Sequence, residues 1–277
     1  MEHGFGLPEG AASAVPAVPA APAGIELPEG LALGRGPHGL VLSGDGMELS
    51  CDFRDLLPRV RADRIGRELL VRAARVRRTG SGEGGHPTCV DATAGLGTDG
   101  FLLAAAGFHV LLCEADPVIG VLLADAVARA ADDPDLAAIA ARVHVLESDS
   151  VAVLAALPEP FRAPDVVYLD PMFPERRKSA AVKKKFQLLH RLERPCGDVE
   201  AERLLAAAIA AGPRKVVVKR PAKGPHLAGA KPSHAISGKA VRFDVIVPAC
   251  GSARDTGRDV GCDAARDAGR DGSVSGL

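Results

Sequence analysis

TCVDATAGLGTD, residues 88–99, decides how the rest of the chain is read. A short apolar run ends on Asp91 and opens into small residues and two glycines, the pattern of a strand that turns into a helix over a ligand. Gly95 and Gly97 permit positive φ and bring bare backbone close to whatever fills the loop, while the next helix presents free N–H groups there. Tight strand-to-helix turns that bind nothing use glycines too, so the neighbouring segments must separate the two readings.

Downstream, apolar runs alternate with helical periods. Strands are expected at 88–91, 109–114, 143–147, 165–170 and 214–219, and helices at 98–106, 117–130, 150–156, 178–193 and 199–211. This alternation predicts a parallel sheet covered on both faces. AISGKAVRFDVIV, 235–247, then places apolar runs on either side of Gly238-Lys239, a closing antiparallel hairpin. The expected class is α/β, with the Rossmann-like, mostly parallel sheet and reversed last pair of the class I S-adenosylmethionine-dependent methyltransferases.

Upstream, residues 1–24 form an Ala/Pro-rich tail that is expected to be disordered, because it has too little apolar surface to bury. Residues 25–78 read as a small N-terminal subdomain. In it GLVLSGDGMELSCDF, 39–53, makes a hairpin around Ser43-Gly44-Asp45-Gly46. One basic amphipathic helix over 54–78 follows, with Ile65, Leu69, Leu70 and Ala73 on its apolar side and arginines opposite. Those arginines read either as a solvated face or as phosphate contacts beside the main domain. That domain is expected over 79–248, entered through the linker TGSGEGGHP, and 249–277 has no apolar period and is expected to be disordered.

With 34 basic and 35 acidic residues the net charge is -1, so any nucleic-acid contact has to come from a local patch. The six cysteines, at 51, 89, 113, 196, 250 and 262, contain no Cys-x-x-Cys pair and have no nearby histidines at zinc spacing, so no metal site is expected; Cys89 and Cys113 fall inside apolar runs, where a reduced thiol behaves as a small hydrophobe, so a reducing compartment is expected. No apolar stretch approaches the roughly 20 residues of a membrane span, and the N-terminus has no basic region leading into a hydrophobic core. The expected address is the cytoplasm.

The acids carry the chemistry. Asp91 ends the first core strand, and Glu114 ends the second, where a carboxylate accepts hydrogen bonds from both ribose hydroxyls of an adenosine. A dinucleotide site would carry Gly-x-Gly-x-x-Gly after the first strand; this loop lacks the third glycine and has Asp99 in the helix's first turn. Asp99 opposes a pyrophosphate but suits the ammonium of a methionine moiety, and it also reads as a simple N-terminal helix acid. S-adenosylmethionine therefore fits better than a nicotinamide dinucleotide. Asp149 and Ser150, after the third strand, suit both an adenine contact and a helix N-cap.

DVVYLDPMFP, 165–174, discriminates furthest. It delivers Asp170 to the sheet's carboxyl edge, with Pro171 and Pro174 stiffening a loop that carries Phe173. The loop resembles the Asp/Asn-Pro-Pro-Tyr/Phe loop of methyltransferases that act on exocyclic amines. There the nitrogen lone pair is delocalised into the ring, and the enzyme must hold the nitrogen in line. Asp170 and the Pro171 carbonyl are the expected acceptors and Phe173 the expected stacking ring, although Asp-Pro is also a common turn and Phe173 also reads as core. Arg176, Arg177, Lys178, Lys183, Lys184 and Lys185 follow directly, and Lys219-Arg220 ends the fifth strand. All eight are candidates for RNA phosphate contacts, against the reading of a solvated helix face.

DATAGLGTD (91–99), CEADP (113–117), VVYLDPMFPERRKSAAVKKK (166–185), VVVKRP (216–221) and RFD (242–244) together resemble the bacterial small-subunit ribosomal RNA guanine N2-methyltransferase J family, over roughly residues 50 to 248. The resemblance implies S-adenosylmethionine-dependent methylation of a guanine 2-amino group in 16S rRNA, at guanosine 1516, with 16S rRNA or the small ribosomal subunit as partner. It implies cofactor contacts on Thr98, Asp99, Glu114, Ala115, Asp149, Ser150 and Asp170. The family usually has arginines where this chain has Thr98 and Ala115, so at those two positions only backbone contacts carry over. The alternatives are an amine methyltransferase acting on DNA adenine or protein, and an RNA-binding assembly factor without turnover.

Overall fold

A computed structural model describes residues 25–76, 85–172, 184–192 and 196–248. Both expected tails and most of the linker lie outside these residues. Three short strands, β1 (Ala32–Gly36), β2 (Gly39–Gly44) and β3 (Met47–Leu49), form an antiparallel sheet. The expected turn around Asp45-Gly46 joins β2 to β3, and β1 adds a strand that the hairpin reading lacked.

The second sheet has seven strands: β4 (Thr88–Asp91), β5 (His109–Glu114), β6 (Val143–Glu147), β7 (Val166–Leu169), β8 (Lys215–Pro221), β9 (His234–Ser237) and β10 (Val241–Ile246). Their order is β6-β5-β4-β7-β8-β10-β9; pairs from β6 to β8 are parallel, and β10 runs antiparallel to both β8 and β9. The chain winds outward from β4 in one direction through β5 and β6, then returns to β7 on its other side. That reversal leaves a crevice above the carboxyl ends of β4 and β7, where ligands bind in open α/β sheets.

The central strands are apolar throughout because both faces are covered. On one face Cys89, Val110, Leu112, Tyr168 and Val217 pack with Phe101, Leu103 and Ala104 of α4 (Thr98–Ala105). On the other, Val90, Leu111, Val167, Val216 and Val218 meet α7 (Ser150–Ala155) and α9 (Asp198–Ala210). The small sheet joins through Leu33, Leu40, Leu42 and Leu49, which pack with α5 (Pro117–Ala131) and α8 (Lys184–Leu192). No helix among the described residues is long and apolar enough to cross a membrane.

The single basic helix expected over 54–78 is replaced by a 3₁₀ turn at Phe53–Leu56 and three short helices, α1 (Leu57–Val60), α2 (Ala62–Ile65) and α3 (Leu69–Ala74). The breaks fall at Arg61 (ψ 141) and Glu68 (ψ 129), both extended. A bidentate ion pair spans them: Arg59 Nε and Nη2 reach the Glu68 carboxylate at 2.8 and 2.9 Å. Nine residues along a continuous helix separate side chains by about 13.5 Å on opposite faces, so this pair forms only if the segment folds back.

Gly97 caps α4 with φ +73, and a Cβ there would lie 2.5 Å from Leu123 Cδ1. Gly95 also has positive φ (+52), but a Cβ there meets nothing within 4 Å. Gly97→Ala is therefore expected to cost about 2–4 kcal/mol, conformational strain plus overpacking, and Gly95→Ala only about 1–2 kcal/mol from strain. Urea denaturation of the two variants checks the difference; equal losses contradict the packing contribution.

Candidate active site

A cleft of about 810 Å³ opens above β4, β5 and β7. Its floor is set by Glu114, whose Oε2 accepts from Gly95 N–H at 2.8 Å and whose Oε1 accepts from Asp116 N–H at 2.9 Å. Burial pushes the Glu114 carboxyl above its usual range, and the backbone N–H groups pull against that rise. The same bonds aim the carboxylate across the loop and fix the 94–97 turn against β5. Asp116 then caps α5 through Val118 and Ile119 N–H. Asp149 caps α7 through Ala152 N–H at 3.0 Å, the structural half of its expected double role, while the Ser150 hydroxyl donates to the Ala92 carbonyl and ties α7 to the glycine loop instead of capping the helix.

Opposite this floor stands an ion-pair cluster. Lys219 Nζ lies 2.8 Å from Asp99 Oδ2 and 2.8 Å from Asp170 Oδ2, and the Tyr168 hydroxyl donates to Asp99 Oδ2 at 2.6 Å. Register explains the meeting. Tyr168 pairs with Val217, and residues two further along each strand, Asp170 and Lys219, lie on the same face towards α4. Thr93 Oγ1 accepts from Asp170 N–H at 2.6 Å and so ties the β7 end to the glycine loop. Burial pushes the Asp170 carboxyl up while Lys219 pulls it down, and burial holds the Asp91 carboxyl well above its usual range.

Of the expected cofactor residues, Gly95, Glu114, Ala115, Asp149, Ser150 and Asp170 line the cleft, as does the catalytic candidate Pro171. Asp91, Gly97, Thr98 and Asp99 are not among the lining residues. Asp91 is buried beneath the loop with Oδ1 on Thr93 N–H at 3.1 Å, and a Cβ on Gly97 would face Leu123, Phe53 and Leu112. Asp99 meets a protein ammonium, Lys219, instead of the methionine ammonium expected of it. Lys219 and Arg220 also depart from their expected phosphate role: the first is engaged by two carboxylates, and the second is 4% exposed with Nε on the Pro225 carbonyl at 2.8 Å. Phe173, Arg176, Arg177, Lys178 and Lys183 lie outside the described residues, while Lys184 and Lys185 open α8.

Sequence reasoning missed Tyr168 and Thr93, and did not foresee the two carboxylates that Lys219 meets. One signal was available for Tyr168: it is the chain's single tyrosine, set in an aliphatic strand two residues before Asp170.

A family described as putative SAM-dependent methyltransferase matches residues 43–248. The ribosomal RNA small subunit methyltransferase J of Thioalkalivibrio sulfidiphilus is 45% identical over 219 residues, 76% of this chain and 85% of that protein. The chain belongs to this family. A Pseudomonas fluorescens relative of the same name is 48% identical over 167 residues, 60% of this chain and 62% of that protein. The crystal structure of a SAM-dependent methyltransferase from Neisseria gonorrhoeae superposes with a TM-score of 0.64 at 34% identity, covering 85% of this chain and 90% of that one. The class I methyltransferase fold and the S-adenosylmethionine cofactor expected from the sequence are thus borne out.

The described residues fit that cofactor. The open space over Gly95, which a Cβ would enter, leaves the loop backbone free to approach an adenosine, and Glu114 faces the cleft beside it.

The ion-pair cluster yields a stability prediction. Lys219→Met leaves Asp99 and Asp170 facing each other without a cation. Breaking a fully buried pair costs about 3–5 kcal/mol, and since Asp170 is 38% exposed the expected loss at pH 8 is about 2–3 kcal/mol. Without the lysine, which pulls the Asp170 carboxyl down, burial raises that folded-state pKa further, so protonation favours the folded form and the deficit narrows as pH falls. Urea titrations of variant and parent from pH 8 to pH 5 check both; a deficit independent of pH contradicts the electrostatic account.

Proposed function

We propose that the protein methylates the exocyclic 2-amino group of a guanine in 16S rRNA. Asp170 carries the reading. Its backbone is held by Thr93 and its Oδ2 by Lys219, and it lines the cleft at the carboxyl end of β7. A carboxylate fixed in this way presents its remaining lone pairs to an amine in one direction, the orientation that a delocalised nitrogen requires. The names of the relatives, ribosomal RNA small subunit methyltransferase J, support an rRNA substrate.

In this reading Glu114 accepts the ribose hydroxyls, Asp149 and Ser150 border the adenine, and the backbone at Gly95 and Ala115 approaches the cofactor without a side chain in the way. Bound S-adenosylmethionine supplies an electrophilic methyl group on a positive sulfonium. Asp170 accepts a hydrogen bond from the target amine, holds the nitrogen in line and takes up the proton that the nitrogen sheds once its new bond to carbon has formed. The Pro171 carbonyl is the second acceptor. The sequence adds Phe173 as the ring that stacks on the base, and Arg176, Arg177, Lys178, Lys183, Lys184 and Lys185 as phosphate contacts beside it.

The reading is tested by incubating the protein with methyl-labelled cofactor and small ribosomal subunits and mapping the labelled base; label on protein or on free nucleosides alone overturns it. Asp170→Asn is expected to lower kcat by about 100-fold while changing cofactor affinity far less. Glu114→Gln is expected to weaken cofactor binding by roughly 10-fold.

Both carboxylates act ionised and both pKa values are raised by burial, so each acid limb lies above the ordinary carboxylate range. Cofactor affinity, read by calorimetry, and kcat are expected to be flat at high pH and to decline as pH falls through the raised values. A limb at the unperturbed carboxylate pKa contradicts the assignment.

A further inference from the structure

The broken basic segment between α1 and α3 has no task in the site so far described. Its charges divide into two groups. Arg54 pairs with Asp133, Arg59 with Glu68 and Arg61 with Asp63. Arg64 and Arg67 are exposed and make no salt bridge to any described residue.

Backbone packing places these two arginines at the functional edge of the sheet. α3 follows immediately, and its first residue, Leu69, lies against the β9–β10 turn, where a Cβ on Gly238 would be 2.6 Å from Leu69 Cδ1. At its other end Lys215, which opens β8, donates to the Ala73 and Arg75 carbonyls. α3 therefore runs antiparallel to β8, with its start at the carboxyl edge and its end at the amino edge. The fold-back brings Arg59 into the field of Asp99: the Glu68 bond raises the Arg59 pKa most, and the Asp99 charge adds to it.

Two exposed lysines occupy the same edge. Lys239 sits on the β9–β10 turn next to Gly238, and Lys223 follows β8. The Ala222 N–H donates to the Ala240 carbonyl at 3.0 Å, so the backbones carrying these lysines are bonded side by side. Arg242 fixes that loop through the Ala222 and Gly224 carbonyls while its own charge is held by Asp244. Lys219, four residues before Lys223, binds Asp170. Lys223, Lys239 and the start of α3 thus stand on the β8–β10 side of Asp170, and Arg64 and Arg67 lie in the segment that leads directly into that start.

We propose that Arg64, Arg67, Lys223 and Lys239 form a cationic arc that binds phosphates of the RNA strand on the β8–β10 side of the target nucleotide. The proposal rests on the RNA-substrate reading above and adds to it four cations outside the lysine-rich run of sequence that follows Asp170. Four exposed cations at the sheet edge, unpaired with described carboxylates, match a polyanion of regular spacing. Guanidinium forks at Arg64 and Arg67 suit phosphate oxygens.

Binding of protein-free 16S rRNA is measured by filter retention between 50 and 300 mM salt for the full chain, for Arg64→Ala/Arg67→Ala, for Lys223→Ala/Lys239→Ala and for Arg75→Ala, which removes a charge at the opposite edge. Each phosphate contact contributes about 0.7–0.9 to the slope of log affinity against log salt. Each double variant is expected to lose about 1–2 from that slope and roughly 10-fold in affinity at the lowest salt, with Arg75→Ala and all cofactor affinities unchanged. Parent-like slopes in both double variants overturn the arc and leave the RNA-substrate reading standing. Failure of the parent protein to bind RNA overturns both. Weakened binding to intact subunits with unchanged binding to naked rRNA assigns the surface to a ribosomal protein and overturns the proposal.

Discussion

One ammonium group holds the carboxyl edge of the sheet together. Lys219 Nζ bridges Asp99 on α4 and Asp170 after β7 from its own place on β8, at 2.8 Å to each. Asp91 lies buried close enough for its carboxyl to feel both acids and the lysine. At an effective dielectric near 20, two charges 4 Å apart interact by about 4 kcal/mol, so three acids sharing this space without a cation would repel strongly or protonate. A lysine suits the position because a compact point charge with three donors can serve two carboxylates at once, and Tyr168 then supplies Asp99 with a neutral donor. The cluster fixes where Asp170 sits, and Asp170 faces the cleft.

The two halves of the crevice are built by different means. On the β4–β5 side carboxylates are held by backbone N–H groups: Glu114 by Gly95 and Asp116, Asp149 by Ala152. Such bonds hold the carboxylates without a salt-bridging side chain among the described residues. On the β7–β8 side the holding group is a charged side chain. Strand order makes this division natural, because β4 lies between the two halves and its loop reaches both, through Gly95 to Glu114 and through Thr93 to Asp170.

The core strands were legible because each is a short apolar run bounded by turn residues: β4, β5 and β6 begin and end where periodicity placed them. The acids at their ends were legible too, since a strand end in a parallel sheet is a position that sequence alone identifies. Side-chain convergence was not. Asp99 and Lys219 are 120 residues apart, and nothing local distinguishes an acid that meets a ligand's ammonium from one that meets a lysine on another strand. The N-terminal arginines failed for a related reason. Their apolar spacing fits a helix, but the chain breaks at Arg61 and Glu68 and folds back, where tertiary packing outweighs that weak preference and lets Arg59 meet Glu68.

The small, uncharged side chain of Ala115 acquires a physical meaning from this arrangement. Ala115 lines the cleft with no charge of its own, so among the described residues the wall presents Glu114, Asp116, Asp149, Asp170 and Glu200 against one arginine, Arg203. A wall of this sign favours a ligand carrying positive charge, as a sulfonium and an ammonium do, and opposes a pyrophosphate. The exposed lysines Lys223 and Lys239 stand beside β8 and β10. In the proposed reading charge is thereby sorted among the described residues of this edge, negative around the cationic cofactor and positive towards the polyanion, with the Lys219–Asp170 pair between them.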